Sequence, residues 1–259
     1  MSENPSRSAE PSIYHPDQVM QIVQQSILGL WDVVNNLTRL RPRRLDKFHV
    51  TIFGSARITR DMPEYADIKR LASGLSTMGC TIVTGGGPGL MQAANEGAHE
   101  ADPDDKRGSV GIRVQLPFEQ GVNAFVGQAY EHRTFFTRLH HFVMISDVFV
   151  VVPGGIGTAL EMFMIWQLLQ VKKLYDTPLI LVGPMWADAV QWATSHMTTH
   201  EPPLADPVDM TIPRCVANID EAMVLVRDRY QQWQQNHVPV FIQLELAQTM
   251  GTEIGRAHV

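Results

Sequence analysis

The sequence has few cysteines, no long apolar run and no excess of positive charge. Its two cysteines, Cys80 and Cys215, are too few for a disulfide framework or a four-cysteine zinc site, and they fit a reducing cytoplasm. The longest unbroken apolar run, Val148 to Val152, has the length of a strand, whereas a membrane helix needs about 18–20 residues. A formal net charge of −6 argues against non-specific binding to nucleic acid.

The polar N-terminus (MSENPSRSAEPS) lacks the charged-then-apolar layout of a secretion signal. We therefore expect a cytoplasmic protein that binds neither membrane nor nucleic acid. With 44% hydrophobic residues the composition is that of a folded globular protein. Because the overall charge is negative, any anion must be bound by local devices such as helix N-termini and a few arginines.

Composition and periodicity divide the chain into four segments. Residues 1–15 are predicted to be a disordered leader, and residues 16–45 an N-terminal helix. That helix is indicated by apolar residues at three- and four-residue steps: Val23, Ile27, Leu30, Trp31, Val34 and Leu37. Residues 46–235 are predicted to be the main folded domain, and residues 236–259 a C-terminal tail. The last part of the tail, Glu253–Val259, has no fold pattern and resembles a translated sequencing adapter.

Strand and helix patterns alternate through the central segment. Strands are predicted at Phe48–Gly54, Cys80–Thr84, Ser109–Val114, Asp147–Val152 and Pro178–Val182. Helices are predicted at Pro63–Met78, Leu90–Glu100, Glu131–Ile145, Thr158–Lys172 and Trp186–Met197. Continuously apolar strands indicate a parallel sheet covered on both faces, and the strands are too few for an eight-stranded barrel. The predicted fold is α/β: a Rossmann-like, doubly wound parallel sheet with an N-terminal helical extension.

Three glycine-bearing turns follow predicted strands: Gly54–Arg57, Gly85–Gly89 and Gly154–Thr158. Such turns either surround a phosphate with backbone N–H groups or simply make tight turns. A dinucleotide fingerprint would need a third glycine where Leu90 and Leu160 stand, and a Walker loop would need a lysine that neither turn has. A monophosphate is the simplest remaining ligand. An NAD-dependent oxidoreductase is correspondingly disfavoured.

The segment from Thr158 to Glu161 has two interpretations. A threonine N-cap with a glutamate three residues later is a capping box, which stabilises any helix start. A glutamate in the first helical turn also stays ionised, and a carboxylate beside an anion site can stabilise the oxocarbenium-like transition state of glycosidic cleavage. The pattern alone leaves both open.

Four segments closely resemble the LOG family, the cytokinin riboside 5′-monophosphate phosphoribohydrolases that were long called lysine decarboxylases. They are TGGGPGLMQAANEGA (Thr84–Ala98), RTFFTR (Arg133–Arg138), SDVFVVVPGGIGTALE (Ser146–Glu161) and PLILVG (Pro178–Gly183). The resemblance spans residues 48 to 226, and the turn after residue 53 and the LPFEQ segment (116–120) are more similar to the longer bacterial members. It implies hydrolysis of a nucleoside 5′-monophosphate, either AMP or a cytokinin riboside 5′-monophosphate, to free base and ribose 5-phosphate. It also implies a homodimer, with no cofactor and no metal.

The resemblance assigns roles to individual residues. Arg138 and Glu161 correspond to the catalytic pair. Phosphate or substrate contacts fall on Gly54, Ser55, Gly86, Gly87, Glu119, Gly154, Gly155, Gly157 and Thr158. The adjacent His140 and His141 cannot face one ion from a helix and are interpreted as non-ligating.

The chain departs from the family at Leu139, Ile156 and Leu160, where the family usually has lysine, an aromatic residue and an acid. These departures leave the accepted base open and keep an alternative alive: a non-catalytic nucleotide-binding protein on the same fold. The older decarboxylase name is disfavoured, because a pyridoxal phosphate enzyme needs a buried lysine. The five lysines all stand in polar contexts or at apparent element ends: Lys47, Lys69, Lys106, Lys172 and Lys173.

Overall fold

A computed structural model describes residues 19–27, 47–104, 108–115 and 121–236. The chain divides into two compact units, Met1–Leu45 and Asp46–Val259. In the first unit, residues 19–27 are helical, inside the helix predicted from the sequence. The rest of that helix, the leader at 1–15 and the tail beyond residue 236 lie outside the described residues.

Within the described residues, the second unit is built on a sheet of seven strands, all paired in parallel, in the order β4-β3-β2-β1-β5-β6-β7. The strands are β1 His49–Phe53, β2 Thr81–Thr84, β3 Ser109–Val114, β4 Gln128–His132, β5 Val148–Val151, β6 Leu179–Val182 and β7 Pro213–Val216. This arrangement confirms the predicted α/β class and the parallel sheet.

In the part of this unit that the structure describes, six α-helices connect and cover the strands. They are α1 Pro63–Thr77, α2 Leu90–Ala101, α3 Phe135–Ile145, α4 Ile156–Gln170, α5 Pro184–Ala193 and α6 Ile219–Asn236. Two shorter helical turns lie between α5 and β7, a π-helix at Thr194–Thr198 and a 3₁₀-helix at Pro207–Thr211.

The helices form one layer on each face of the sheet because the central strands are apolar on both faces. In β5, Val148 and Val150 belong to a buried cluster shared with α1, α2 and α6. The intervening Phe149 and Val151 belong to a second cluster shared with α3, α4 and α5. Side chains alternate between the faces of a strand, so a continuously apolar strand feeds two cores.

The order in which the chain adds strands to the sheet reverses at β1, with β2 on one side of it and β5 on the other. The chain runs outward from β1 through β2 and β3 to β4, then returns to place β5 on the other side of β1. In a doubly wound sheet this reversal opens a crevice at the carboxyl ends of the strands. The glycine turns after β1, β2 and β5 therefore follow three adjacent strands around that reversal.

Several boundaries differ from the sequence prediction. Glu131 and His132, predicted as the start of a helix, belong to β4 at the edge of the sheet. The helix predicted to begin at Thr158 begins at Ile156. The strand β7 and the helix α6 were not predicted. β4 and β7 each carry exposed polar residues, so neither has the continuous apolar pattern by which the other strands were predicted. They are identified as strands by their pairing with β3 and β6.

Candidate functional site

The glycine turns after β1 and β5 are tied together through the backbone. The N–H of Ser55 donates to the carbonyl oxygen of Pro153 at 3.0 Å. The carbonyl of Ser55 in turn accepts from the N–H of Leu90, the first residue of α2, at 2.8 Å. The turn that contains Ser55 thus bridges the glycine turns on either side of it, and all three predicted turns lie at one edge of the sheet.

Arg138 and Glu161 meet beside these turns. The guanidinium Nη1 of Arg138 lies 2.9 Å from Oε1 of Glu161, and the two side chains are only 12% and 9% exposed. A lone arginine on an apolar helix is usually a surface residue, but here it has a buried partner. The structure therefore brings together the two residues that the resemblance assigned as a catalytic pair.

Arg138 is held from several sides. It is part of α3, whose N-cap Thr134 accepts a hydrogen bond from the N–H of Thr137. Its Nε donates to the carbonyl oxygen of Ile112 in β3 at 2.9 Å, and its guanidinium carbon lies 5.1 Å from the centre of the Phe142 ring. These contacts fix the plane of the guanidinium, so that Nη1 is aimed at the carboxylate.

Glu161 ionises less readily than an ordinary glutamate. Burial raises its pKa to about 6, and the charge of Arg138 together with its hydrogen bond opposes this rise. One carboxylate oxygen, Oε1, is taken by Arg138. The other, Oε2, is also a hydrogen-bond acceptor when the carboxylate is ionised.

The predicted capping box between Thr158 and Glu161 is wrong. The N-cap of α4 is Gly155, without a side-chain cap, and no acidic residue lies in the first turn. Thr158 is instead buried in the first turn, in contact with the position that a Cβ on Gly154 would occupy. Glu161 therefore lies beyond the first turn, and its charge is balanced by Arg138 more than by the helix end.

The start of α4 is open. A Cβ added at Gly155 or Gly157 would meet nothing within 4 Å. The first N–H groups of a helix have no acceptor within the helix, and they carry its positive partial charge. The helix that carries Glu161 therefore begins with N–H groups that can donate hydrogen bonds to an anion.

A polar network that the sequence analysis missed lies beneath the second glycine turn. Thr84 Oγ1 accepts from the N–H of Gly86 and donates to Oδ1 of Asn95. The side chain of Asn123 donates to the carbonyl oxygens of Gly86 and Gly87, at 3.2 and 3.0 Å, and to Oδ1 of Asn95 at 3.0 Å. Asn95 follows the second glycine turn closely in sequence, whereas Asn123 is more than 30 residues away from it, so nothing in the sequence indicated this network.

Some predicted residues lie elsewhere or outside the described part. Glu119 falls in 116–120, outside the described residues. The imidazole of His141 lies against that of His132, with Nε2 of His132 and Nδ1 of His141 3.0 Å apart. Burial lowers the pKa of His141 to about 4, with smaller contributions from His132 and His140, so the ring is neutral at physiological pH.

The described part of the chain offers neither a metal cluster nor a membrane helix. In it, no three His, Cys, Asp or Glu side chains are grouped to hold a metal ion. Of the helices described, none is long and apolar enough to cross a membrane. Lys69 is half-buried, and its ammonium group is bound to Glu96 and Glu100.

Comparison with known proteins gives both sequence and structural relatives. Residues 91–224 match the family described as "possible lysine decarboxylase". The pyrimidine/purine nucleotide 5′-monophosphate nucleosidase of Escherichia coli strain K12 is 31% identical over 127 residues, which are 47% of this chain and 28% of that protein. The same-named protein of Escherichia coli O157:H7 matches to the same extent, 31% over 127 residues. The chain thus spans only 28% of the length of these curated relatives.

Among solved structures, the molybdenum cofactor carrier protein of Chlamydomonas reinhardtii aligns with a TM-score of 0.53 and 21% identity, covering 71% of this chain and 99% of that one. The molybdenum cofactor binding protein of Rippkaea orientalis aligns with a TM-score of 0.50 and 18% identity, covering 70% and 96%. These likenesses concern the fold alone. Because the family match at residues 91–224 extends over just over half of the 259 residues, the chain belongs to the "possible lysine decarboxylase" family, the LOG family.

Proposed function

We propose that this protein hydrolyses the N-glycosidic bond of a nucleoside 5′-monophosphate, releasing the free base and ribose 5-phosphate. The observation that carries the proposal is the buried contact of 2.9 Å between Arg138 and Glu161, next to the open start of α4. A carboxylate beside an anion site meets the two needs of this reaction, which are a bound phosphate and stabilisation of positive charge on the sugar.

In the proposed reaction, the phosphate binds at the turn from Gly154 to Thr158 and places the ribose C1′ near Glu161. The bond between C1′ and the base nitrogen breaks, and its electron pair leaves with the base. A water molecule adds to C1′, and one of its protons ends on the base. The Glu161 carboxylate stabilises the oxocarbenium-like sugar and accepts a hydrogen bond from the water through Oε2.

Arg138 has a supporting role in this reaction. Its contact with Oε1 lowers the pKa of Glu161 relative to burial alone. It therefore keeps a large fraction of the carboxylate ionised at neutral pH, and it holds the carboxylate in one orientation. Its remaining guanidinium N–H groups are available to the phosphate.

The substrate class is supported by the family and by the curated relative, whose name specifies pyrimidine and purine nucleotide 5′-monophosphates. Within that class we propose AMP or a cytokinin riboside 5′-monophosphate, which would place the protein in cytokinin biosynthesis. Leu139 and Leu160 replace residues that family members usually carry. Leu139 directly follows Arg138, and Leu160 directly precedes Glu161.

The test is a panel of nucleoside 5′-monophosphates, including AMP and isopentenyladenosine monophosphate, with chromatographic detection of free base. We expect base release by the wild type and a loss of about a thousandfold or more in Glu161→Gln, which keeps the shape of the side chain but removes its charge. Glu64→Gln, at an exposed position of α1, is the matched control and should keep full activity. Full activity in Glu161→Gln would refute the assigned mechanism.

The non-catalytic alternative makes a different prediction in the same experiment. A nucleotide-binding protein would bind one of these nucleotides saturably and release no base from any of them. Calorimetry on the same panel separates the two functions, because binding without base release would replace the hydrolase proposal with the binding protein.

We also propose that the protein is a homodimer with its sites near the interface. Ile156, Leu160 and Phe163 are 88%, 49% and 40% exposed, and their spacing places them on one face of α4, the helix that carries Glu161. Phe135 and Phe136, at the start of the helix that carries Arg138, are exposed as well. Size-exclusion chromatography with light scattering should give twice the mass of 29.0 kDa, and Phe163→Glu should shift it toward the monomer.

A further inference from the structure

The second glycine turn is fixed in one orientation by Asn123. Both the backbone N–H and the side-chain amide of Asn123 donate to the carbonyl oxygen of Gly86, at 2.8 and 3.2 Å. The same side chain reaches the carbonyl oxygen of Gly87 at 3.0 Å. Gly86 has a φ of +73°, a backbone conformation that residues other than glycine rarely adopt. The turn therefore depends on this glycine and on Asn123, which bonds to it.

Asn123 is itself anchored by buried groups. Its side-chain amide donates to Oδ1 of Asn95, and Nδ2 of Asn95 donates to Oγ of Ser109 at 3.0 Å. Its own Oδ1 accepts from the N–H of Phe125 at 3.2 Å. Asn95 is fully buried in α2. The orientation of the Asn123 amide is therefore set from three sides before any ligand binds.

The consequence falls on the N–H of Gly87. In a trans peptide the carbonyl and the N–H point in opposite directions. The carbonyl of Gly86 points at Asn123, so the N–H of Gly87, which shares that peptide, points away from it. Among the described residues, none accepts a hydrogen bond from the N–H of Gly87. The neighbouring Gly85 lies against Arg138, since a Cβ there would be 2.5 Å from Nη2. The free N–H is thus on the turn that borders the catalytic pair.

We propose that Asn123 is a positioning residue. It holds the Gly86–Gly87 peptide so that the N–H of Gly87 donates to an oxygen on the ribose 5-phosphate half of the substrate. This inference rests on the proposed function for the identity of the ligand. Asn123 acts through the peptide and does not touch the substrate, so its removal affects binding of the sugar phosphate more than the chemical step.

The experiment compares Asn123→Asp with Asn123→Ala in the full chain. Aspartate keeps the size of asparagine but replaces the donating NH₂ with an oxygen, and its charge repels the carbonyls of Gly86 and Gly87. Alanine only removes the donor. By calorimetry, we expect ribose 5-phosphate to bind about tenfold to a hundredfold more weakly to the aspartate variant than to the wild type. The alanine variant should lose less affinity than the aspartate variant. KM for the nucleotide should rise by a similar factor, with kcat within about threefold.

Asn218→Ala is the matched control. Asn218 also uses its side chain to hold backbone, accepting from the N–H groups of Asp220 and Glu221 at the start of α6. Thermal unfolding of every variant accompanies the binding measurements. The control should bind ribose 5-phosphate like the wild type. If the aspartate variant does not fold, the alanine variant decides by its split between KM and kcat.

The outcomes separate this inference from the proposed function. Unchanged ribose 5-phosphate binding in the folded Asn123 variants overturns the positioning role, as does an equal effect of aspartate and alanine, or a fall in kcat at constant KM. A wild type that does not bind ribose 5-phosphate overturns it too. If the wild type binds ribose 5-phosphate, loses it in the aspartate variant and yet releases no base, the hydrolase function fails and the role of Asn123 stands.

Discussion

The guanidinium of Arg138 occupies the space that any side chain on Gly85 would need. A Cβ at Gly85 would lie 2.5 Å from Nη2 of Arg138 and 2.7 Å from Sδ of Met91. Since Nε and Nη1 of Arg138 are already bound to Ile112 and Glu161, the guanidinium cannot move without giving up one of these contacts.

The first prediction follows from that contact. Gly85→Ala should displace Arg138 and reduce kcat by about a hundredfold, because a shift of about 1 Å in a catalytic group has effects of that size. Gly74→Ala is the control, since its Cβ would meet only the flexible end of Met223. Steady-state kinetics of both variants provides the measurement, and wild-type kcat in Gly85→Ala would contradict the assigned position of Arg138.

The second prediction concerns pH. The proposed reaction needs the ionised form of Glu161, and burial raises the pKa of this group to about 6 despite Arg138. We therefore expect kcat at saturating substrate to rise with pH below about 6 and to level off above it. The pKa itself should appear as the difference between titrations of the wild type and of Glu161→Gln. A kcat that does not change across this range would exclude Glu161 as the titrating group.

The same raised pKa has a consequence for stability. The unfolded chain ionises Glu161 at the ordinary pKa of 4.5, and the folded chain at about 6. The free energy of unfolding should therefore fall as pH rises from 4.5 to about 6, by about 2 kcal/mol from this group. Urea unfolding of the wild type and of Glu161→Gln at several pH values measures it. The two curves should converge in acid, and a constant offset would contradict the shift.

A double-variant cycle tests the buried pair. Arg138→Met leaves the Glu161 carboxylate buried without its partner, and we expect a loss of about 3–5 kcal/mol in unfolding free energy at neutral pH. Adding Glu161→Gln removes the stranded charge and should restore most of that loss. Denaturant unfolding of the two single variants and the double variant gives the coupling. Additive losses would mean that the pair makes no net interaction.

A separate prediction concerns Glu96, a residue of α2 whose side chain contacts Tyr65 and Lys69 of α1. Burial alone would raise its pKa, but hydrogen bonds from Tyr65 and Lys69 and the charges of Lys69 and Arg60 outweigh this, so the pKa lies below the ordinary value. Its stabilising effect is therefore present at neutral pH and is lost in acid. Glu96→Gln should cost about 1–3 kcal/mol at neutral pH and less in acid. Glu100→Gln, which changes an exposed partner of Lys69, should have a smaller effect.

The central sheet could be predicted from the sequence because its strands are short apolar runs that end in glycine turns. β1, β2 and β5 are buried on both faces, so their composition alone identifies them. The edge strand β4 has the sequence QAYEH with three exposed residues, and no periodicity distinguishes it from a loop or a helix start. It is a strand because it pairs with β3, a long-range contact that composition does not encode.

The site was predictable in its residue types and not in its geometry. The resemblance predicted that Arg138 and Glu161 act as a pair. It could not predict the hydrogen bond from Arg138 to the carbonyl oxygen of Ile112, because that bond depends on how α3 packs against β3. Thr158 and Glu161 have the spacing of a capping box, yet Gly155 ends the preceding turn in extended backbone, so α4 begins at Ile156. The roles assigned to the glycine turns stay predictions until a ligand is bound.

The pairing of β1 with β5 has a consequence for folding. Val50 lies beside Val148, so this pairing joins parts of the chain that are far apart in sequence and closes a long loop. The turns at Gly54 and Gly86 precede β5 in the sequence, and Glu161 follows it, so the pairing of β1 with β5 is needed to bring the two parts of the site together. Any catalytic activity at the proposed site therefore depends on the closed sheet. We expect it to emerge late in refolding, after the helices have formed, so that enzymatic activity reports on the docking of the two halves.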